Sequence, residues 1–258
     1  MEEQKKVLLA GIIFVVIIVL GAAIYYFFIY HKPEQPEDIT RVAQEQIPAQ
    51  EEIKPEEEKV EPLQIDLDES DELVKKLVGE LSSHPKLADW LMTDDVIRKF
   101  VAAVDNLANG HSPKPQIDFF KPEGNFLVRE ERGDTFIDPE SYKRYDIVTQ
   151  VFLSLDTKGC VTLYKKLKTA IQEAYRDLGY PDRDFHTTLI KAIRELLKVP
   201  IVEENIQVEK EVITYRMVDS KLEGLTQAQK QLLRMGPENV QKIQAKLKDI
   251  AQALGFQE

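Results

Sequence analysis

The chain has 258 residues, with 34 Lys plus Arg against 45 Asp plus Glu, a net charge of −11. This acidic balance argues against a dedicated nucleic-acid binder, and 11 Gly, 13 Pro and no long-range repeat exclude collagen-like and coiled-coil chains. A single cysteine, Cys160, excludes a disulfide framework and any paired-cysteine metal knuckle.

No charged residue falls between Val7 and Tyr30. As a helix these residues would run about 36 Å at about 1.5 Å per residue. A bilayer core is about 30 Å thick. Ile12 to Leu20 is rich in Ile, Val and Leu, and the far end carries Tyr25, Tyr26, Phe27, Phe28 and Tyr30, which suit the headgroup level. The pattern predicts a single transmembrane helix in an anchor over residues 1–31. A cleaved signal peptide is the alternative, because Lys5 and Lys6 supply a charged start and Gly21-Ala22-Ala23 supplies small residues. The apolar run continues through Ile29, which favours the anchor. The run has no GxxxG face for dimerisation. Lys5 and Lys6 before it and Lys32 and Arg41 after it give a slight positive-inside bias, so the short N-terminus is expected in the cytoplasm and the rest outside.

Residues 32–65 carry five prolines, ten acids and four bases, a net of −6. Ile39, Val42, Ile47 and Ile53 are isolated, so no apolar face can be drawn. Such a composition does not offset the entropy of ordering, and a disordered, extended linker is expected. It would lift the C-terminal part of the chain away from the membrane.

Helical signals begin at Asp68 and extend to residue 258, one α-rich domain over residues 66–258. Leu73, Val74, Leu77, Val78 and Leu81 form a first stripe. Pro85 suits the start of a short helix with Leu87 and Leu91. Thr93 is the expected cap of a helix with Ile97, Phe100, Val101, Val104 and Leu107, ended by Gly110. Asp94 and Asp95 fall in its first turn, where the dipole favours acids. Pro113, Pro115 and Pro122 forbid a long helix in the next stretch. Asn125–Arg129 and Thr135–Ile137 predict a hairpin around Gly133. Pro139 then opens a helix carrying Tyr142, Tyr145, Val148 and Phe152. Asp156 caps a long helix stopped by Gly179, and Asp184 caps another that ends before Pro200. Ile206 to Met217 reads as one strand or extended arm. Thr226 caps a helix ending near Met235, and Gly236-Pro237 separates it from a last helix to about Leu254.

Chemistry is sparse. His31, His84, His111 and His186 never stand four apart on one helix, and no nucleophile-elbow, Walker or dinucleotide glycine string occurs. Cys160 reads as a structural thiol. Asp182, Asp184 and His186 could converge on a cation, but a helix cap at Asp184 is the plainer account. Asp94 with Asp95 could do acid–base work, yet the helix dipole already explains them. Arg98, following Asp94 by four and preceding Asp105 by seven, suggests an ion-pair network at a helix junction. Tyr142, Arg144 and Tyr145 combine residue types enriched at binding hot spots, at a spacing that also serves packing. A helix-turn-helix at Gly236-Pro237 is disfavoured by Glu238, Asp249 and the expected address. The candidate interaction patch is therefore Arg98, Asp105, Asn106, Tyr142, Arg144 and Tyr145, and no catalytic, cofactor or metal residue is assigned.

Several strings resemble one bacterial family. They are Asp68-Glu69-Ser70-Asp71, Trp90-Leu91, Thr93-Asp94-Asp95 with Ile97-Arg98, and Val104-Asp105-Asn106-Leu107. Tyr142 with Arg144-Tyr145-Asp146, Gln172-Glu173-Ala174-Tyr175, Leu178-Gly179-Tyr180-Pro181 and Gln229 to Asn239 complete the set. The resemblance is to domain of unknown function 3014, over about residues 66–254, and it implies one domain without any activity, cofactor or catalytic residue. The sequence thus predicts a mainly α protein: a single transmembrane helix, a disordered linker, and one multi-helix domain with a small β-hairpin element. The expected address is the bacterial inner membrane, with the N-terminus cytoplasmic and the domain periplasmic. The expected role is a non-enzymatic module that binds a protein or cell-wall partner, with no nucleic acid and no cofactor. An envelope hydrolase using Asp94, Asp95 or Asp105, or a small-ligand sensor, is the alternative.

Overall fold

The computed structural model describes residues 60–117, 122 and 124–256. The chain divides into a unit of residues 1–56 and a unit of residues 57–258, and every described residue lies in the second.

A 3-10 turn at Leu67–Glu69 leads into α1 (Asp71–Gly79), α2 (Pro85–Trp90) and α3 (Val96–Ala108). The start of α3 differs from expectation. Thr93 does not cap it; Asp95 takes a left-handed conformation with φ 55°, and the helix begins at Val96. The cap comes from α1, where Asp71 accepts the backbone N–H groups of Asp95 (2.7 Å) and Val96 (3.0 Å). The free N–H groups and the dipole of a helix N-terminus favour such a carboxylate. Asp71 reaches it only through the packing of α1 on α3, a relation that local spacing does not carry.

The first hairpin pairs β1 (Val128–Glu131) with β2 (Asp134–Ile137) in antiparallel register, Val128 opposite Ile137. Its two-residue turn, Arg132-Gly133, has positive φ at both positions, which matches the right-handed twist of the strands. The helix expected from Pro139 divides into α4 (Glu140–Lys143) and α5 (Asp146–Ser154). Asp156 caps α6 (Thr157–Asp177) by accepting from Lys158 and Gly159, and Asp184 caps α7 (Phe185–Leu197) by accepting from Thr187.

Residues 206–217 form a second hairpin instead of one strand. β3 (Val208–Lys210) turns back into β4 (Tyr215–Met217), with Glu211 N–H donating to Thr214 O at 2.8 Å. The turn holds Val212 and Ile213, 94% and 92% exposed. Two β-branched aliphatics at a turn tip mimic a continuous strand in a propensity reading, so the reversal is invisible there. The two hairpins meet edge to edge, where Ile137 N–H donates to Ile206 O (3.0 Å) and Phe136 bridges Gln207. The short α8 (Ser220–Glu223), capped by Asp219, precedes α9 (Gln227–Leu233) and α10 (Pro237–Ala253). Thr226 and Gln229 cap α9 reciprocally.

The core has two parts. Val74, Val101, Val104, Leu167, Ile171, Tyr175 and Phe185 join α1, α3, α6 and the start of α7, and Leu63 and Ile65 pack against them. Ile137, Val208, Met217, Leu233, Val240, Ile243 and Leu247 join both hairpins to α9 and α10, with Ile193 from α7. Helix α7 therefore belongs to both, and Leu189 touches each. One buried hydroxyl is left over: Thr149 is 2% exposed and its Oγ1 has no hydrogen-bond partner among the described residues. A buried unpaired polar atom destabilises by about 1–3 kcal/mol. Thr149→Val should therefore raise the free energy of unfolding by about 1 kcal/mol in chemical denaturation. A loss of stability would show that the hydroxyl is paired.

One part of the expected fold class is corrected. The mainly helical domain with small hairpins is present, but no helix among the described residues is long and apolar enough to cross a membrane. The longest, α6, interrupts its apolar stripe with Lys158, Lys165, Lys166, Lys168, Glu173, Arg176 and Asp177, as a helix with one solvated face must. The segment expected as a transmembrane helix, within residues 7–30, and the linker to residue 59 lie outside the described residues.

Candidate functional site

The six candidate residues separate into four environments. Arg98 is a junction residue. Its guanidinium donates to Asp68 Oδ1 at 2.7 Å and lies 3.5 Å from Asp95 and 3.9 Å from Asp177. The hydrogen bond to Asp68 is the main reason its pKa is raised above the ordinary arginine value. The guanidinium thus ties the 3-10 turn and the end of α6 to the start of α3. Asp94 does not pair with it. Lys75 takes Asp94 at 3.0 Å, and that hydrogen bond holds the carboxyl below its usual range. Asn106 points to the loop after α3, donating to Gln116 Oε1 (2.9 Å) while its backbone carbonyl accepts His111 N–H (2.8 Å).

Asp105 lies two turns beyond Arg98 and meets other partners. Tyr175 and Tyr180 donate their hydroxyls to its two oxygens at 3.4 and 3.2 Å. The negative charge of Asp105 pushes the Tyr180 phenol above its ordinary value, and burial adds to the shift. A phenol so shifted stays protonated and remains a donor. Tyr175 is fully buried, stacks on Tyr180 with centroids 4.8 Å apart, and shares a 2.9 Å hydrogen bond with Thr188. Asp105, Asn109, Tyr175, Arg183, Thr188 and Lys191 line a cleft of about 300 Å³ between α3 and α7. Gln172 fixes the turn that carries Arg183. Its side chain accepts Phe185 N–H (2.9 Å) and donates to Arg183 O (2.7 Å), fixing the α6–α7 turn. Arg183 and Lys191 do not stand out in the sequence, because a cation on the polar face of a helix or turn is ordinary there. Only the neighbouring α3 gives them a shared setting.

Of Tyr142, Arg144 and Tyr145, only the side chains of Arg144 and Tyr145 meet, and Tyr145 is itself buried in the core at 8% exposure. The Arg144 guanidinium lies over the rings of Phe126 (5.7 Å) and Tyr145 (5.3 Å), and its Nε donates to Ser141 O at 2.9 Å. Leu127, next to Phe126 in the chain, and Ile147, three residues after Arg144, are 47% and 41% exposed. Ser141 links this face to the hairpin by exchanging hydrogen bonds with both backbone groups of Leu127. Tyr142 is turned inward, where burial raises its pKa. It packs on Gly236, and Asn239 bridges Tyr142 O, Asp146 Oδ1 and Met235 O. The strings Tyr142–Asp146 and Gln229–Asn239, far apart in sequence, are one contact in space.

The other residues singled out by chemistry have structural settings. Asp184 caps α7, and His186 lies 3.0 Å from the Tyr164 hydroxyl and between the rings of Tyr164 and Phe256. Among the described residues no three His, Cys, Asp or Glu side chains come together to hold a metal. Burial pushes the Cys160 thiol up, away from a reactive thiolate.

The described residues thus form a small helical domain with a stacked arginine on one part and a mixed-charge cleft on another. Residues 96–251 match the family model described as a protein of unknown function, DUF3014, and the chain belongs to that family. No curated protein and no solved structure matches it.

Proposed function

We propose that this domain is a non-enzymatic interaction module of the bacterial envelope that binds another protein or a cell-wall component. The observation that carries the reading is the Arg144 face. A guanidinium held over two aromatic rings, with exposed Leu127 and Ile147 near it in the chain, offers residue types enriched at binding hot spots. A stacked arginine loses little further freedom on binding, which favours affinity.

The envelope address rests on the sequence before the domain. An uncharged, apolar Val7–Tyr30 and an acidic, proline-rich stretch after it suit a protein held at the inner membrane with its C-terminal domain on the periplasmic side. A reporter fused after Glu258 should be active only outside the cytoplasm.

The test of the role is crosslinking in cells followed by recovery of the full-length chain. The wild type should bring down a discrete partner. Arg144→Glu should lose it by roughly tenfold or more, as expected for removal of a hot spot worth about 2 kcal/mol. Lys143→Glu, next to it but exposed and paired with Glu140, should not. Equal recovery by both variants would contradict the assignment.

A further inference from the structure

Helix α6 opens on a run of positive charge in a chain whose net charge is −11. Residues 156–168 hold four lysines, Lys158, Lys165, Lys166 and Lys168, and one acid, the capping Asp156. Lys158, Lys165 and Lys168 are exposed and Lys166 is half-buried. None of the four has a carboxylate partner among the described residues, whereas Lys143, Lys230 and Lys242 elsewhere in the fold each have one. Lys158 and Lys165 stand about two turns apart and so share one line along the helix.

The chain enters the domain against this helix. Leu63 N–H donates to Lys166 O at 2.8 Å, and Leu63 and Ile65 pack against the core. Further on, Asp68 pairs with Arg98, which also lies 3.9 Å from Asp177 at the end of α6. Leu63 is thus at the middle of α6 and Asp68 towards its C-terminus, so chain and helix run in the same direction. The residues just before Leu63 are acidic, with Glu57, Glu58 and Glu61 against one base, Lys59. An extended chain advances about 3.3 Å per residue and a helix about 1.5 Å. An arm that kept this path would place Glu61 about four helix residues before Lys166, between Lys158 and Lys165. It would place Glu58 about eleven before Lys166, at the N-terminus of α6, where the dipole also favours an acid.

We propose that the acidic arm Glu57–Glu61 folds back along α6 and occupies its basic face, with Glu58 and Glu61 pairing with Lys158 and Lys165. Charge complementarity and the point of entry both favour this occupant. The arm is joined to the chain within a few residues of the face, which gives it an effective concentration of about millimolar or more. Exposed ion pairs are individually weak and are screened by salt, so the arm is a reversible strap. An acidic partner or an anionic lipid surface would reach these lysines only by displacing it. The strap does not depend on the Arg144 face.

Zero-length carbodiimide coupling of the full-length chain, read by peptide mass spectrometry, tests it. Amide links from Glu57, Glu58 or Glu61 to Lys158 or Lys165 are expected. In a mixture of isotopically light and heavy protein they should form within one chain. They should fall steeply at about 1 M salt, where the screening length is about 3 Å. Glu140–Lys143 and Glu238–Lys242, paired in the fold, are internal controls at low salt. The triple variant Glu57→Gln, Glu58→Gln, Glu61→Gln should acetylate at Lys158 and Lys165 about threefold faster, with exposed Lys248 of α10 unchanged. No link from the arm to α6 while both controls couple, links only between chains, or unchanged acetylation in the triple variant would each overturn the proposal. So would protection of Lys158 and Lys165 that arises only when phosphatidylglycerol vesicles are added.

Discussion

Gly236→Ala should bring the domain to the edge of unfolding, with a loss of about 3–5 kcal/mol. Two independent penalties meet at this residue. Its backbone, at φ 87° and ψ 160°, sits in a region that only glycine occupies without strain of about 1–3 kcal/mol. A Cβ built there would also lie 2.4 Å from Tyr142 Cγ and 2.7 Å from Tyr142 Cβ, so the whole side chain of a packed tyrosine would have to shift. Overpacking of this kind adds about 1–3 kcal/mol. Against a total stability of about 5–15 kcal/mol the sum is large. Denaturant titration should show the midpoint falling steeply with the slope unchanged. Because Tyr142 lies two residues before Arg144, the variant should also lose the binding ascribed to the Arg144 face. A loss below about 1 kcal/mol would mean that Tyr142 does not close over this turn.

Phe185→Ala comes next, with an expected loss of about 3–5 kcal/mol for an aromatic truncated in a packed core. Phe185 is 1% exposed at the first position of α7. Its ring meets Tyr175 edge-on at 5.4 Å and Phe100 at 5.8 Å. Its effect should reach the cleft, because Tyr175 is the residue that holds Asp105 and Thr188 together. Phe185→Leu retains most of the apolar volume and should lose much less. Equal losses for the two would show that the ring's contacts with Tyr175 and Phe100 contribute little.

The elements legible in the sequence are those whose signals are local. Asp156, Asp184 and Thr226 cap the helices that their positions predict, because a short polar side chain next to free N–H groups needs nothing from the rest of the fold. Gly236-Pro237 separates two helices for a similar reason. The departures come from contacts between distant residues. The cap of α3 arrives from Asp71, not Thr93. Residues 206–217 turn back at Val212-Ile213, where β-propensity points to an unbroken strand. Helical spacing associates Asp105 with Arg98, yet its partners are Tyr175 and Tyr180, 70 and 75 residues further on. The Arg144–Tyr145 contact follows from their adjacency, but Phe126, the other ring under Arg144, comes from the run before β1, and Tyr142 turns inward. The cleft is not, since each of its residues alone is a normal solvated side chain.

The central claim is that the Arg144 face is where this domain meets its partner. Site-specific photocrosslinking in cells tests it most directly, with the photoreactive residue placed in turn at Leu127, Ile147 and Lys221 of the full-length chain. The first is next to Phe126 and the second three residues after Arg144, and the third lies on α8, away from them in the chain. A discrete adduct of the same size from positions 127 and 147, and none from 221, is the result expected. Adducts from 221 alone, or none from 127 and 147, would contradict the claim.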